Sequence, residues 1–378
     1  MSEAGSESGE RLVGLFLELA SLPSPTGGER LVADYLKERL GRTGLMVVEG
    51  PPVGEGSQAA GNLYCHIPPS AEGTPILFSA HMDTVVSEPG AMPEPLVEGG
   101  IIKSGSRAVL GADDKAAIAA MVLAVERVLE EGRTHAGIEL LFTVCEESGL
   151  RGAKASSMES IAAECGFCMD CTGKVGGIVV RSPSQKTIRA RFSGRAAHAG
   201  VEPEKGRSAI RAAAAAIAAM ELGRLDDDTT ANIGTIKGGD AINVVPASCE
   251  IEGEARSHDP DRLEEVVGAM MGAINLAAAQ EGVDVETVVV DEFSGFDFRS
   301  GGQPLELAAR AVKRLGLEPS YISTGGGSDV NVLNLKGLKC VNLAIGMEKL
   351  HSPDEFIAVE SLVQAHRLLM EIITEAAG

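Results

Sequence analysis

The stretch IELLFTVCEESG, residues 138–149, decides the fold. Its opening residues, up to Cys145, read as a continuous apolar run of strand length, the pattern of a central strand covered on both faces. Two adjacent carboxylates, Glu146 and Glu147, follow directly. Such neighbours repel one another unless a cation or a shared proton relieves them, so the end of this strand is also the first candidate site. Upstream, residues 114–130 are alanine-rich with apolar positions at helical spacing, and they run into Gly132, a natural helix stop. Residues 45–48, 61–67 and 75–79 are short, rich in β-branched or aromatic side chains, and bounded by Gly, Pro or Ser, which predicts strands. Strand and helix in alternation imply a mostly parallel sheet flanked by helices. In such sheets ligands gather beyond the carboxyl ends of the strands, where His81, Glu146, Glu147 and Asp170 fall.

Further out, residues 10–40 carry helical spacing interrupted by LPSPTGG, which predicts two helices joined by a loop. A second pattern begins near Ile178: strand 187–193, helix 206–222, strands 230–237 and 248–256, helix 260–281 and strand 283–291. That order is the split βαβ arrangement of a small ferredoxin-like α+β domain. The chain then returns to helix 304–315, a glycine-rich loop, a strand and a last helix 359–376. The expected organisation is an α/β fold of two domains. A catalytic domain spans residues 1–178 and 293–378, and residues 179–292 form an inserted lid.

Composition narrows the function. A chain of 378 residues, 44% of them hydrophobic, is long enough for two cores. A formal charge of −21 repels polyanions, and no basic run interleaved with aromatics occurs, which argues against nucleic acid as a partner. The acidic start, MSEAGSESGE, lacks the positive and apolar segments of a secretory signal. Uncharged stretches such as residues 266–280 fall short of the roughly 18 apolar residues of a membrane span. Seven cysteines make an odd number for a disulfide framework and fit a reducing cytoplasm. Cys165, Cys168 and Cys171 form C-x-x-C-x-x-C, which reads either as a metal or iron–sulfur motif short of a fourth ligand or as small buried residues around Asp170.

The chemistry sits in short polar clusters at the ends of apolar runs. In HMD, Asp83 follows His81 by two and is positioned to bond its far ring nitrogen and fix its tautomer. GADDK sets Asp113 and Asp114 at a helix start, where they read as an N-cap or, for Asp113, as a carboxylate bridging two ions. Of Glu146 and Glu147, one suits an ion and the other a proton taken from water. Histidine nitrogen and carboxylate oxygen suit zinc, cobalt or manganese. Asp113, Glu147 and Asp170 with one hydroxide balance two divalent cations, whereas one ion leaves an excess of negative charge.

Seven ordered motifs, SAHMDTV, GADDKAAIAAM, TVCEESGLRGAK, GRAAHAGVEPEKGRSAI, GGDAINVVPASCEIEGEARSHD, STGGGSDVNVLN and LHSPDEF, together resemble the co-catalytic metallopeptidases of the aminoacylase and carboxypeptidase G superfamily, most closely its peptidase T-like tripeptidase branch. The resemblance implies that His81, Asp113, Glu147, Asp170 and His351 ligate two metal ions, zinc foremost, with Asp113 bridging. It implies Glu146 as general base, Asp83 as the residue orienting His81, and a cis Asp113–Asp114 peptide. It implies that His198 of the lid stabilises the oxyanion and that two copies pair through the lid as a homodimer. Asn243, Arg256, Gly326 and Gly327 resemble the substrate-facing set. Arg256 either grips the substrate carboxylate or forms an ion pair within the lid. His66, His135, His258 and His366 have no such context and read as structural. Aspartate at position 170, where relatives vary between aspartate and glutamate, leans towards an aminopeptidase. The implied activity is removal of the N-terminal residue from short peptides, most readily tripeptides. The rivals are an N-acyl amino acid deacylase or carboxypeptidase with the same machinery, and a metal- or peptide-binding protein without catalysis.

Overall fold

A computed structural model describes residues 7–378, so the first six residues of the acidic start lie outside the described residues. The chain divides into two compact units. The larger takes the sequence up to Val180 together with Asp297–Ser323 and Ser328–Gly378, and the smaller takes Arg181–Phe296 with the short segment Thr324–Gly327.

The larger unit is built on one sheet in the order Val47–Glu49, Leu63–Ile67, Ile138–Thr143, Ile76–His81, Cys165–Thr172, Lys339–Glu348, Phe356–Ala358, Ile101–Ser104 and Pro95–Glu98. Only its centre is parallel: Ile76–His81 pairs in parallel with strands on both sides, and Lys339–Glu348 continues the parallel run. The flanking strands are antiparallel, which makes the sheet mixed. Pro95–Glu98 and Ile101–Ser104 form a tight hairpin, which cannot join parallel strands, whereas Leu63–Ile67 and Phe356–Ala358 meet antiparallel partners distant in sequence. The helix Ala112–Glu131 is buried almost all round, which its run of alanines permits. It packs against the sheet on one side and against Glu7–Ala20 and Val359–Ala376 on the other.

The strand Ile138–Thr143 is buried at every position, as its reading requires, yet it is not wholly apolar. Glu139 lies within it, 1% exposed. Its carboxylate accepts the Tyr64 hydroxyl at 2.7 Å and the main-chain N–H groups of Ala162 and Ala163 at 2.8 and 3.1 Å. A buried carboxylate is tolerable when its oxygens are filled in this way.

The smaller unit has five antiparallel strands in the order Gly223–Asp226, Thr229–Gly238, Ser248–Ser257, Ser184–Ser193 and Asp284–Phe293. With its two helices this is the split βαβ arrangement, extended by one short strand. Helix Ala209–Ala218 is capped by the Ser208 side chain, and Pro260–Glu281 by Asp259 with Gly282 closing it at φ 63°. Both helices cover one face of the sheet over Ile188, Phe192 and Ile251, with Met270 of the second helix packed into the same core. The opposite face carries cross-strand pairs Arg189–Glu252 and Arg191–Glu250.

Candidate metal centre

The parallel register sets the site. His81 ends its strand directly opposite Thr143, so the residues just beyond both strands emerge side by side. The ring of His81 is 1% exposed, and its Nε2 lies 2.9 Å from Oδ1 of Asp113. Its Nδ1 lies 2.9 Å from the main-chain carbonyl of Asp83 and 3.5 Å from the Asp83 carboxylate. The tautomer is therefore fixed as expected, with Nδ1–H donating, but chiefly to the carbonyl. The carboxylate serves elsewhere. It accepts the N–H of Glu146 at 2.9 Å, the N–H of Glu147 at 3.2 Å and the Thr26 hydroxyl at 2.9 Å. Burial alone would push this carboxyl up, but hydrogen bonding and attraction from His81 hold it below its ordinary value.

Asp113 stands at the kinked entry to the long helix. Gly111 takes the left-handed conformation at φ 74°, Asp113 and Asp114 are non-helical, and the peptide between them is cis. The Asp113 carboxylate lies between two histidines, with Oδ1 on His81 and Oδ2 3.2 Å from Nε2 of His351. His351 is held at φ 60° in the loop after the strand Lys339–Glu348, with about half its side chain exposed, and its Nε2 lies 3.0 Å from Oε1 of Glu147. His81, Asp113 and Glu147 each offer a ligand atom within 4.8 Å of the others. Asp170 and Glu146 stand outside that tight group, although the Asp170 charge helps to raise the protonation equilibrium of Glu146.

The electrostatics ask for cations. Burial, then the negative charge of neighbouring carboxylates, pushes Asp170 and Glu146 well above the usual carboxylate range. His351 is raised to about 10 by its hydrogen bonds to Asp113 and Glu147. Oδ1 of Asp114 is buried without a hydrogen-bond partner, and Oε1 of Glu147 is buried against the His351 ring. Oxygens of this kind, set among histidine nitrogens, are the donor set that zinc, cobalt or manganese takes, so the residues fit the expected ions.

Several residues that hold the site escaped the sequence reading. Glu29 accepts the N–H groups of Gly27 and Cys145 at 2.8 and 3.1 Å, beneath the Glu146 turn. Asn342 exchanges two hydrogen bonds with the main chain of Asp170 at 2.8 and 2.7 Å. Glu355 accepts N–H groups of the Asp113 turn. Asp329 accepts the Thr143 hydroxyl at 2.5 Å, and burial lifts it to about 6. Asp329 and Glu355 sit within quoted motifs, but Glu355 binds main chain, which leaves no pattern of its own.

Cys165, Cys168 and Cys171 lie along one strand, and all seven cysteines are free thiols. Cys165 and Cys168, three apart on an extended strand, face opposite sides of the sheet, which favours the reading as packing residues.

In the smaller unit, His198 is exposed and its Nδ1 accepts the N–H of Gly200 at 3.1 Å, which leaves Nε2 as the donor of the neutral ring. His198 bridges to Val244, and the adjacent Asn243 carbonyl accepts the N–H of Ala199 at 2.9 Å. Arg256 pairs through Nε and Nη2 with both oxygens of Glu254 at 3.0 Å, and Nη1 donates to the Gly325 carbonyl. The Arg256–Glu254 ion pair lies within the smaller unit. Gly326 accepts the Ser182 hydroxyl at 2.9 Å, and Gly327 lies against the Phe293 ring with no room for a Cβ.

Comparison with known proteins points to peptidases. Residues 183–281 match the model of the peptidase dimerisation domain, and residues 62–215 match that of peptidase family M28. The protein YqjE of Bacillus subtilis is 42% identical over 97% of this chain and 99% of its own length. Among solved structures, aminopeptidase PepT from Bacillus cereus is 42% identical with a TM-score of 0.87, covering 98% of this chain and 99% of its own. A tripeptidase from Staphylococcus aureus is 37% identical with a TM-score of 0.91, covering 98% of both chains.

Proposed function

The chain belongs to the peptidase T-like branch of the M20 metallopeptidases, and on that footing we propose that it is a two-metal exopeptidase that removes the N-terminal residue from short peptides, tripeptides foremost. The observation that carries the reading is Asp113, whose two oxygens face His81 on one side and His351 with Glu147 on the other. His81, Asp113 and Asp170 would hold one ion, and Asp113, Glu147 and His351 the second. Two divalent ions, zinc first with cobalt and manganese as alternatives, would supply Lewis acidity towards the scissile carbonyl and lower the pKa of the attacking water.

The chain's own residues do the rest. Glu146, next to the ligand Glu147 and held from below by Asp83, takes the proton of the attacking water at its carboxylate and passes it to the departing amine nitrogen. His198, with Nε2–H as donor, meets the negative oxygen that develops on the carbonyl. Asn243 and the glycines Gly326 and Gly327 offer main-chain and amide groups to an extended peptide. Arg256 shapes the Gly325 loop through its carbonyl contact, and a peptide carboxylate would have to compete with Glu254 for its guanidinium.

Two copies of the chain pairing through the smaller unit fits its outer strand Asp284–Phe293, which exposes Val288 and Val289. Seven free thiols support a reducing compartment such as the cytoplasm. No helix among the described residues is long and apolar enough to cross a membrane.

The test is hydrolysis of a free-amine alanine tripeptide beside its N-acetylated twin, with zinc- and cobalt-loaded protein and released alanine followed chromatographically. Cleavage of the free peptide alone, from its N-terminus, is the expected result. Cleavage of the acylated peptide alone would make the chain a deacylase, and inertness towards both would make it a binding protein.

A further inference from the structure

Glu355 has no place in the chemistry above, yet it is 1% exposed and lies four residues after His351. Its two oxygens are divided between two main-chain donors of one turn: Oε2 accepts the N–H of Gly111 at 2.8 Å and Oε1 the N–H of Asp113 at 2.9 Å. The buried cation nearest in sequence to that turn, Lys115, spends its ammonium on the Leu22 carbonyl at 2.7 Å. So the carboxylate serves the turn itself. A buried carboxylate filled by two N–H groups is costly to disturb, because removing one oxygen strands a donor inside the protein.

Beyond the ring contacts of His351 with Asp113 and Glu147, the loop that carries it is tied mainly to itself. It runs from Lys349, at φ 56°, through His351, at φ 60°, and is closed on itself by the Ser352 hydroxyl on the Lys349 carbonyl and by the Glu355 N–H on the Ser352 carbonyl. Strand pairing of Met347 with Ile357 and Glu348 with Phe356 holds the base of the loop, not its tip. His81, in contrast, is the last residue of a central strand buried at all six positions. The two histidines on Asp113 are thus unequally supported, one by a core strand and one by a loop.

We propose that Glu355 is a positioning residue that locks the His351 loop to the Asp113 turn and thereby sets the occupancy of the second metal position, formed by Asp113, Glu147 and His351, while leaving the position at His81 nearly unaffected. The inference rests on the two-metal reading of the site. Glutamine at 355 keeps the shape but offers one acceptor where two N–H groups point, so the loop loses half of its tie.

Cobalt titration of the metal-free full-length protein, read by calorimetry and by the visible absorption of bound Co2+, tests this. Wild type takes up two equivalents. In Glu355→Gln the first equivalent binds within about threefold of wild type and the second is weakened by about 10–100-fold, the range usual for residues that support a ligand. His351→Ala gives the same pattern and serves as the reference. Glu355→Asp, which still reaches one N–H, falls between wild type and Glu355→Gln and covers the case in which the glutamine variant does not fold. Two equivalents bound as in wild type, or both weakened alike, would overturn the proposal. A wild type that binds fewer than two equivalents would instead overturn the two-metal reading beneath it.

Discussion

Asp83 and Glu146 meet through the main chain: the Asp83 carboxylate receives the N–H of the proposed base at 2.9 Å while its own carbonyl receives the ring of His81 at the same distance. One residue therefore orients a metal-ligand candidate with its backbone and the base with its side chain. Asp83→Asn keeps the carbonyl but turns one acceptor into a donor facing an N–H. The expected result at saturating metal is a kcat lowered by about 10–100-fold with metal stoichiometry preserved, read by steady-state kinetics and metal analysis on the same sample.

Glu146→Gln keeps the hydrogen bond from Glu146 N–H to Asp83, because that bond is main chain. Two equivalents of metal still bind, and kcat on an alanine tripeptide falls by about 10²–10⁴. Turnover within about tenfold of wild type would remove Glu146 from the proton transfer.

At Gly327 a methyl group would lie inside the Phe293 ring, whereas at Gly326 the nearest atom is the Thr324 hydroxyl at 3.7 Å. Gly327→Ala should therefore destabilise the protein by about 1–3 kcal/mol, and Gly326→Ala should leave thermal unfolding nearly unchanged. Adding Phe293→Ala to Gly327→Ala restores part of the loss if the ring is the obstacle. Equal unfolding temperatures for the two alanine variants would contradict the packing.

His366 sets a pH dependence away from the site. It is 2% exposed, with Nδ1 on the Ala120 carbonyl at 3.2 Å and Nε2 without a partner, and burial lowers it from 6.5 to about 4. Between those values the unfolded chain binds a proton that the folded chain refuses. Its contribution to stability is thus full above about pH 6.5 and declines as pH falls towards 4, by an amount on the order of 3 kcal/mol over the whole window. His366→Asn keeps a donor for Ala120 and removes the titration, so the gap in unfolding temperature between neutral pH and about pH 5 should narrow. An unchanged gap would show that other groups carry the acid loss.

The fold class was legible because it rests on patterns the chain must repeat: apolar runs of strand length for the central strands, alanines for the buried helix, and the split βαβ order of the smaller unit. The antiparallel flanks were not, since Pro95–Glu98 and Phe356–Ala358 are short and Phe356–Ala358 pairs with a strand distant in sequence. Residues that share an obvious chemistry, His81 with Asp113 and Glu147 with His351, are brought together. Glu29, Asn342 and Glu355 stayed hidden because their partners are backbone amides, which every residue but proline possesses. The Asp83 carboxylate does lie 3.5 Å from Nδ1 of His81, but its further bonds to the amides of Glu146 and Glu147 left no trace in the sequence. Glu139 shows the converse, an acid in the middle of a core strand made harmless by two amides that only the folded chain supplies.

Asp83, Glu29 and Glu355 each grip the turns that present candidate ligands by their amides. The scaffolding of the centre is thereby separate from its contents. Hydrogen bonds to main chain do not depend on what the side chains meet, so the turns are set by the fold itself rather than by anything the side chains bind.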